Sequence, residues 1–159
     1  MRLRPAAPED LEAVAAVVHA GNLTFRDWAP PGWQPPALAL IRSSWAGRLA
    51  DGPARGTLVA CDQDGAVTGV TSWRPSGTPG VAHLSALYVH PAHWRTGVGG
   101  ALLDAATAAM AATGAGRARL VTPAESPARA FYAARGWRDA GPARPGAGLE
   151  HVTLVRGLP

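Results

Sequence analysis

Apolar positions change period along the 159 residues, and each change predicts an element. Leu11, Val14 and Val18 recur at helical spacing, so a first helix is expected over 8–20. Pro8 stands at its first position, Glu9 and Asp10 suit the positive end of its dipole, and Gly21 is read as its stop. A short strand, 2–5, precedes it. Residues 22–36 hold too many prolines for one regular helix. Leu38, Ile41, Trp45 and Leu49 then mark a second helix over 37–49. Strands are expected at 57–62 and 66–74, joined at Asp64-Gly65, a strong hairpin signal. A further strand spans 81–89. Val98, Leu102, Ala106 and Met110 line one face of a third helix that ends near Gly114 and Gly116. A strand at 119–122 follows. Ser126 and Pro127 then cap and start a helix that stops at Gly136. The remainder reads as a short strand at 137–139, a Gly/Pro-rich loop over 141–148 and a strand at 149–156. No repeat and no separate linker interrupts this order, so one domain over 1–159 is expected.

The stretch 84–103, LSALYVHPAHWRTGVGGALL, carries the most chemistry. An apolar strand, a turn at Pro91 and the run Arg95, Thr96, Gly97, Val98, Gly99, Gly100 lead straight into the third helix. Strand, Gly-rich loop and helix N-terminus in that order present unpaired N–H groups to a phosphate or pyrophosphate. A Gly-rich turn that merely starts a helix is the plain alternative. A dinucleotide fingerprint would need a third glycine where Leu102 stands, and a P-loop would need a lysine, which the chain lacks altogether.

Composition narrows the partners. All 15 basic residues are arginine, scattered along the chain, and the net charge is +4. That suits a polyanionic cofactor and gives no nucleic-acid surface. No 18-residue apolar run predicts a membrane span, and the first residues lack a signal-peptide core. Cys61 is the single cysteine and lies in an apolar run, where a buried core role is expected. A cytoplasmic protein is the expectation; association into a homodimer is left open. His90 and His93 flank the Pro91 turn without a carboxylate partner, so no metal site is predicted.

Leu87-Tyr88-Val89, Pro91, Arg95-x-Gly97-x-Gly99 and Ala101-Leu102-Leu103 together resemble the acetyl-CoA-binding motif of the GNAT superfamily, the Gcn5-related N-acetyltransferases. Ala128-x-x-Phe131-Tyr132-x-x-x-Gly136-Trp137 is similar to the later helix motif of that family. The resemblance implies an α/β fold: a mixed, mostly antiparallel sheet of six or seven strands, splayed at its centre, with about four helices. It also implies acetyl-CoA-dependent N-acetylation of a primary amine. Two positions depart from the family pattern. Trp94 replaces the usual Gln or Arg that opens the loop, and Glu125 replaces the usual Asn.

The same resemblance distributes roles. Leu87, Tyr88 and Val89, the loop from Arg95 to Gly100, and Glu125, Ala128 and Phe131 fall to the cofactor. A backbone N–H within 87–89 falls to the oxyanion. Tyr132 matches the tyrosine that commonly protonates the leaving thiolate, and a phenol near pKa 10 can do so. His83 stands where many relatives carry a glutamate base, and a neutral imidazole suits that work at pH 7. A water chain is the alternative base. Phe25, Trp28 and Trp73, with Trp33, are candidates to line the acceptor cleft; core and lid packing is the competing reading. Asp27 is the one acidic residue within 22–50, which argues against a polycationic acceptor. The expected acceptor is a small-molecule amine. A protein N-terminus, or a module that binds acyl-CoA without turnover, stands as the alternative.

Overall fold

The computed structural model describes residues 1–50 and 56–159. Among them seven strands form one sheet: β1 (Arg2–Pro5), β2 (Gly56–Cys61), β3 (Val67–Pro75), β4 (Val81–Val89), β5 (Arg117–Pro123), β6 (Arg138–Gly146) and β7 (Leu149–Gly157). Their spatial order is β1-β2-β3-β4-β5-β7-β6. Every neighbouring pair is antiparallel except β4 and β5, which run parallel. The described α-helices are α1 (Leu11–Leu23), α2 (Leu38–Ala50), α3 (Val98–Ala112) and α4 (Ala128–Ala133).

The alternation of side chains along each strand assigns the helices to opposite faces. Val14, Val17 and Val18 of α1 bury against Ile41 and Trp45 of α2 and against Val59, Cys61 and Val70 of the sheet. On the other face Leu103, Ala106 and Met110 of α3 pack with Leu84, Leu120, Leu154, Tyr132 and Trp137. Leu102, Leu103 and Met110 are fully buried, and each such side chain stabilises the fold by about 1.5–3 kcal/mol.

Two features position the site. β4 and β5 pair only from Val81↔Arg117 to Leu84↔Leu120, yet β4 continues to Val89 and β5 to Pro123. The centre of the sheet therefore opens beyond Leu84. On the β3 side, Trp73 opposes Leu84 while Ser72 opposes Ala86, which leaves Ser85 as an extra residue. This bulge reverses the facing of β4. Leu84 looks toward α3, and so do Leu87 and Val89, while His83, Ala86 and Tyr88 look toward α1 and α2.

Two sequence expectations are corrected. Gly21 does not end the first helix. A turn of 3-10 helix at Pro8–Asp10 opens it, and α1 then runs on to Leu23. Gly21 is there for close approach: a Cβ on it would stand 2.9 Å from the Tyr88 ring. Residues 141–148 are not simply a loop. β6 extends to Gly146 and closes on β7 through Ala147-Gly148, both at positive φ (51° and 74°), as a tight hairpin turn requires. Pro142 and Pro145 are tolerated because β6 is an edge strand with two register shifts.

Candidate active site

The Gly-rich loop builds a helix N-terminus without a side-chain cap. Gly97 takes φ 90° as the N-cap of α3, a conformation that disfavours any side chain. The first intrahelical bond runs from the Ala101 N–H to the Gly97 carbonyl at 3.0 Å, so the N–H groups ahead of it point out of the helix. Trp94 and Thr96 brace the loop: the indole Nε1–H donates to the Val89 carbonyl at 2.9 Å and the Thr96 hydroxyl to the His93 carbonyl at 2.7 Å. From α4, Phe131 lies where a Cβ added to Gly99 would meet it at 3.6 Å. The Arg135 guanidinium stacks on Phe131 at 4.1 Å and lies beside Gly100. A cation at a helix N-terminus opposes the dipole unless an anion joins them. The residues present thus fit a pyrophosphate. Sequence reasoning missed Arg135; its place four residues after Phe131, just past the end of α4, was the available signal.

The opening between β4 and β5 leads away from this loop. His90 donates its N–H to Thr68 of the β3 side, so by alternation the N–H groups of Leu87 and Val89 face the opening. Tyr132, on α4, is buried in the core on the α3 side of the sheet. Its ring packs against Phe131 and Trp137, with centroids 5.3 and 5.8 Å away, and only 7% of the residue is exposed. Burial, with a smaller contribution from the neighbouring Tyr88, pushes the Tyr132 phenol well above its ordinary range. Among the described residues its hydroxyl has no hydrogen-bond partner, and the raised pKa keeps the proton on the oxygen. The Tyr88 phenol is also raised by burial; its ring is held against Gly21 of α1.

His83 lies on the α1/α2 face, just before the strands part. Its register partners are Arg74 on β3 and Arg119 on β5, so all three side chains share that face. Arg119 Nε–H donates to His83 Nδ1 over 3.5 Å. Burial first, then the charges of Arg74, Arg119 and Arg48, bring the imidazole down to about 4. The expectation from sequence was a group titrating near neutrality; burial and the three cations hold it lower. Phe25 packs on Trp28 and Trp33 with ring centroids 4.7 and 5.7 Å apart. The Trp33 indole donates to the Ala147 carbonyl at 2.9 Å, which ties the segment between α1 and α2 to the β6–β7 turn across the same face.

Trp73 does not join this group. It pairs with Leu84 and so faces α3, where its ring fills the space that a Cβ on Gly56 would need. Glu125 is exposed in the turn after β5, while Ala128 packs against the α3-side core.

The family model described as the acetyltransferase (GNAT) family matches residues 22–137. The chain belongs to the GNAT family. Solved structures share its fold from end to end. A PaiA N-acetyltransferase from Thermoplasma acidophilum, in complex with coenzyme A, is 18% identical with a TM-score of 0.79, covering 98% of each chain. A GCN5-related N-acetyltransferase from Rhodopseudomonas palustris is 27% identical, TM-score 0.78, covering 99% of this chain and 95% of that one. A phosphinothricin acetyltransferase from Sinorhizobium meliloti in complex with acetyl-CoA is 22% identical, TM-score 0.75, with 99% and 88% covered. No curated protein matches. The seven-stranded, centrally opened sheet and four α-helices among the described residues agree with the expected architecture.

Proposed function

We propose that this GNAT chain is one catalytic domain over 1–159 that transfers acetyl from acetyl-CoA to the primary amine of a small molecule. The observation that carries the reading is an uncapped α3 N-terminus beside strands β4 and β5 that part beyond Leu84, with Tyr132 buried in the core on the α3 side. Gly97 to Gly100 and Arg135 would hold the pyrophosphate. Leu87 and Val89 would pair along the pantetheine arm and give an N–H to the carbonyl oxygen. Acetyl-CoA supplies the activated thioester. The amine nitrogen forms its bond to the acetyl carbon as the carbon–sulfur bond breaks, and Tyr132 gives its proton to the leaving sulfur. The amine's own proton leaves through water, because an imidazole brought down to about 4 is a weak base at neutral pH.

The Trp33–Ala147 tie, which holds the α1–α2 segment to the β6–β7 turn, supports a small acceptor over a protein N-terminus. The unpaired, protonated Tyr132 supports an enzyme over a silent binder. No described helix is long and apolar enough to cross a membrane, and the buried, unpaired Cys61 suits a reducing cytoplasm. Thiol release from acetyl-CoA over an amine panel tests the reading. Acetyl-CoA binding without any amine-dependent thiol release would leave a binding module instead.

A further inference from the structure

The register of the sheet sets Arg74, His83 and Arg119 side by side on the acceptor face, one residue short of the point where β4 and β5 part. Two guanidiniums thus flank a single imidazole. No carboxylate among the described residues lies within ion-pair distance of either one. Arg4, Arg42 and Arg129, by contrast, are paired with Asp10, Glu12 and Asp139 at 2.7–2.8 Å. The contacts made by the flanking pair are weak. Arg74 donates to the carbonyl of adjacent Pro75, and Arg119 makes the long bond to His83. Both side chains are partly buried. Like charges two strands apart repel across about 10 Å, and that cost persists in the folded protein unless an anion sits between them. The imidazole does not relieve it by taking a negative role; it stays neutral.

Position gives this charge a use. Arg119 lies one residue, about 3.3 Å, before Leu120, where the opening begins. A small oxyanion held by both guanidiniums would set a nearby amino group at the mouth of that opening. The planar fork of arginine matches a carboxylate or a phosphonate, and a charged contact of this kind discriminates strongly against the neutral analogue.

We propose that the acceptor is a small amine bearing its own oxyanion, as an amino acid does, and that Arg74 and Arg119 bind that anion on either side of His83. This rests on the acetyltransferase reading above and adds the chemical class of its acceptor. The test uses matched sets with acetyl-CoA: amino acids, aminophosphonates, the corresponding amino-acid amides, and the amines that lack the acid group, with thiol release followed for each. Acetyl-CoA affinity is measured by calorimetry on the same preparations.

The expected result is that kcat/KM favours at least one anionic member over its amide by tenfold or more. Arg74→Gln and Arg119→Gln should then each erase about tenfold to a hundredfold of it, mostly through KM, with amide rates and acetyl-CoA affinity unmoved. Arg119→Lys should recover part of the preference. Arg2→Gln, at the far edge of the sheet, should change nothing. Preference between carboxylate and phosphonate members identifies the anion. Equal or better turnover of amides overturns the proposal, as does an anionic preference that survives both Gln variants. So does a panel in which no anionic member is acetylated although acetyl-CoA binds. Failure of acetyl-CoA to bind would instead strike the underlying reading.

Discussion

Arg119 Nε donates to His83 Nδ1, and this one bond decides which proton the imidazole can handle. With Nδ1 accepting, the neutral ring carries its hydrogen on Nε2. Nδ1 is then occupied, and protonating the ring would set a third positive charge between Arg74 and Arg119. The cofactor assignment does not depend on this residue, because it rests on the loop before α3.

The first prediction concerns pH. His83 is brought down to about 4, so it remains neutral through the range where an amine acceptor is assayed. With an acceptor of known pKa, His83→Gln should leave the shape of the rate profile unchanged between about pH 5.5 and 9. An imidazole limb near 6–7 that disappears in the variant would restore His83 as the base. Stability should respond where activity does not. Between about 6.5 and 4 the unfolded chain takes up a proton that the folded chain refuses, so stability falls as pH drops through this window. Urea unfolding should show His83→Gln flattening that fall; an equal slope in both proteins would contradict the shift.

The second prediction concerns Arg135. Its guanidinium lies beside Gly100 at the start of α3, where a cation is unfavourable without a bound anion. Arg135→Gln should therefore weaken acetyl-CoA binding by about tenfold or more. The unliganded protein should keep its stability or gain up to about 1 kcal/mol. Calorimetry and thermal unfolding read the two effects separately. Loss of stability with undiminished affinity would reduce Arg135 to a packing residue over Phe131. Gly99→Glu is the harsher companion: it adds bulk against Val89 and Phe131 and negative charge at the helix start, and should abolish binding.

Much of this was legible in the sequence because local rules governed it. The strand–loop–helix run at 84–103 and the hairpin at Asp64-Gly65 each depend on near neighbours. What escaped depends on distant partners. Gly21 reads as a helix stop until Tyr88, far along the chain, is seen to need the space. Trp73 reads as a cleft residue until its pairing with Leu84 turns it toward α3. The strand through Pro142 and Pro145 is hidden because an edge position excuses its prolines. The arginines beside His83 are invisible for the same reason, since register between β3, β4 and β5 alone assembles them.

Gly21 supplies the third prediction. Alanine in the middle of a helix gains about 1 kcal/mol over glycine by propensity. Here the added methyl would stand 2.9 Å from Tyr88 Cδ1 in a well-filled core, and overpacking of that kind costs about 1–3 kcal/mol. The clash wins, so Gly21→Ala should lower stability by up to about 2 kcal/mol. Gly47→Ala, on α2 with open space around it, should instead raise stability. Denaturant midpoints check both, and a stabilised Gly21→Ala would mean that the Tyr88 ring is free to move aside.

Tyr132 carries the last prediction and the mechanism with it. Its phenol is buried, raised by that burial and without a partner among the described residues, so it enters the reaction protonated at any working pH. Removing only the oxygen leaves the ring contacts with Phe131 and Trp137 intact. Tyr132→Phe should therefore keep the fold and near-wild-type acetyl-CoA affinity while turnover drops by about tenfold to a thousandfold, the usual scale of a general acid. The loss should appear in kcat and kcat/KM together, because the proton is delivered only as the carbon–sulfur bond breaks. The deficit should also shrink with a donor whose thiol is more acidic, since a better leaving group needs less help. Unchanged turnover with chemistry limiting would remove Tyr132 from the reaction, and a fall in affinity alone would return it to packing.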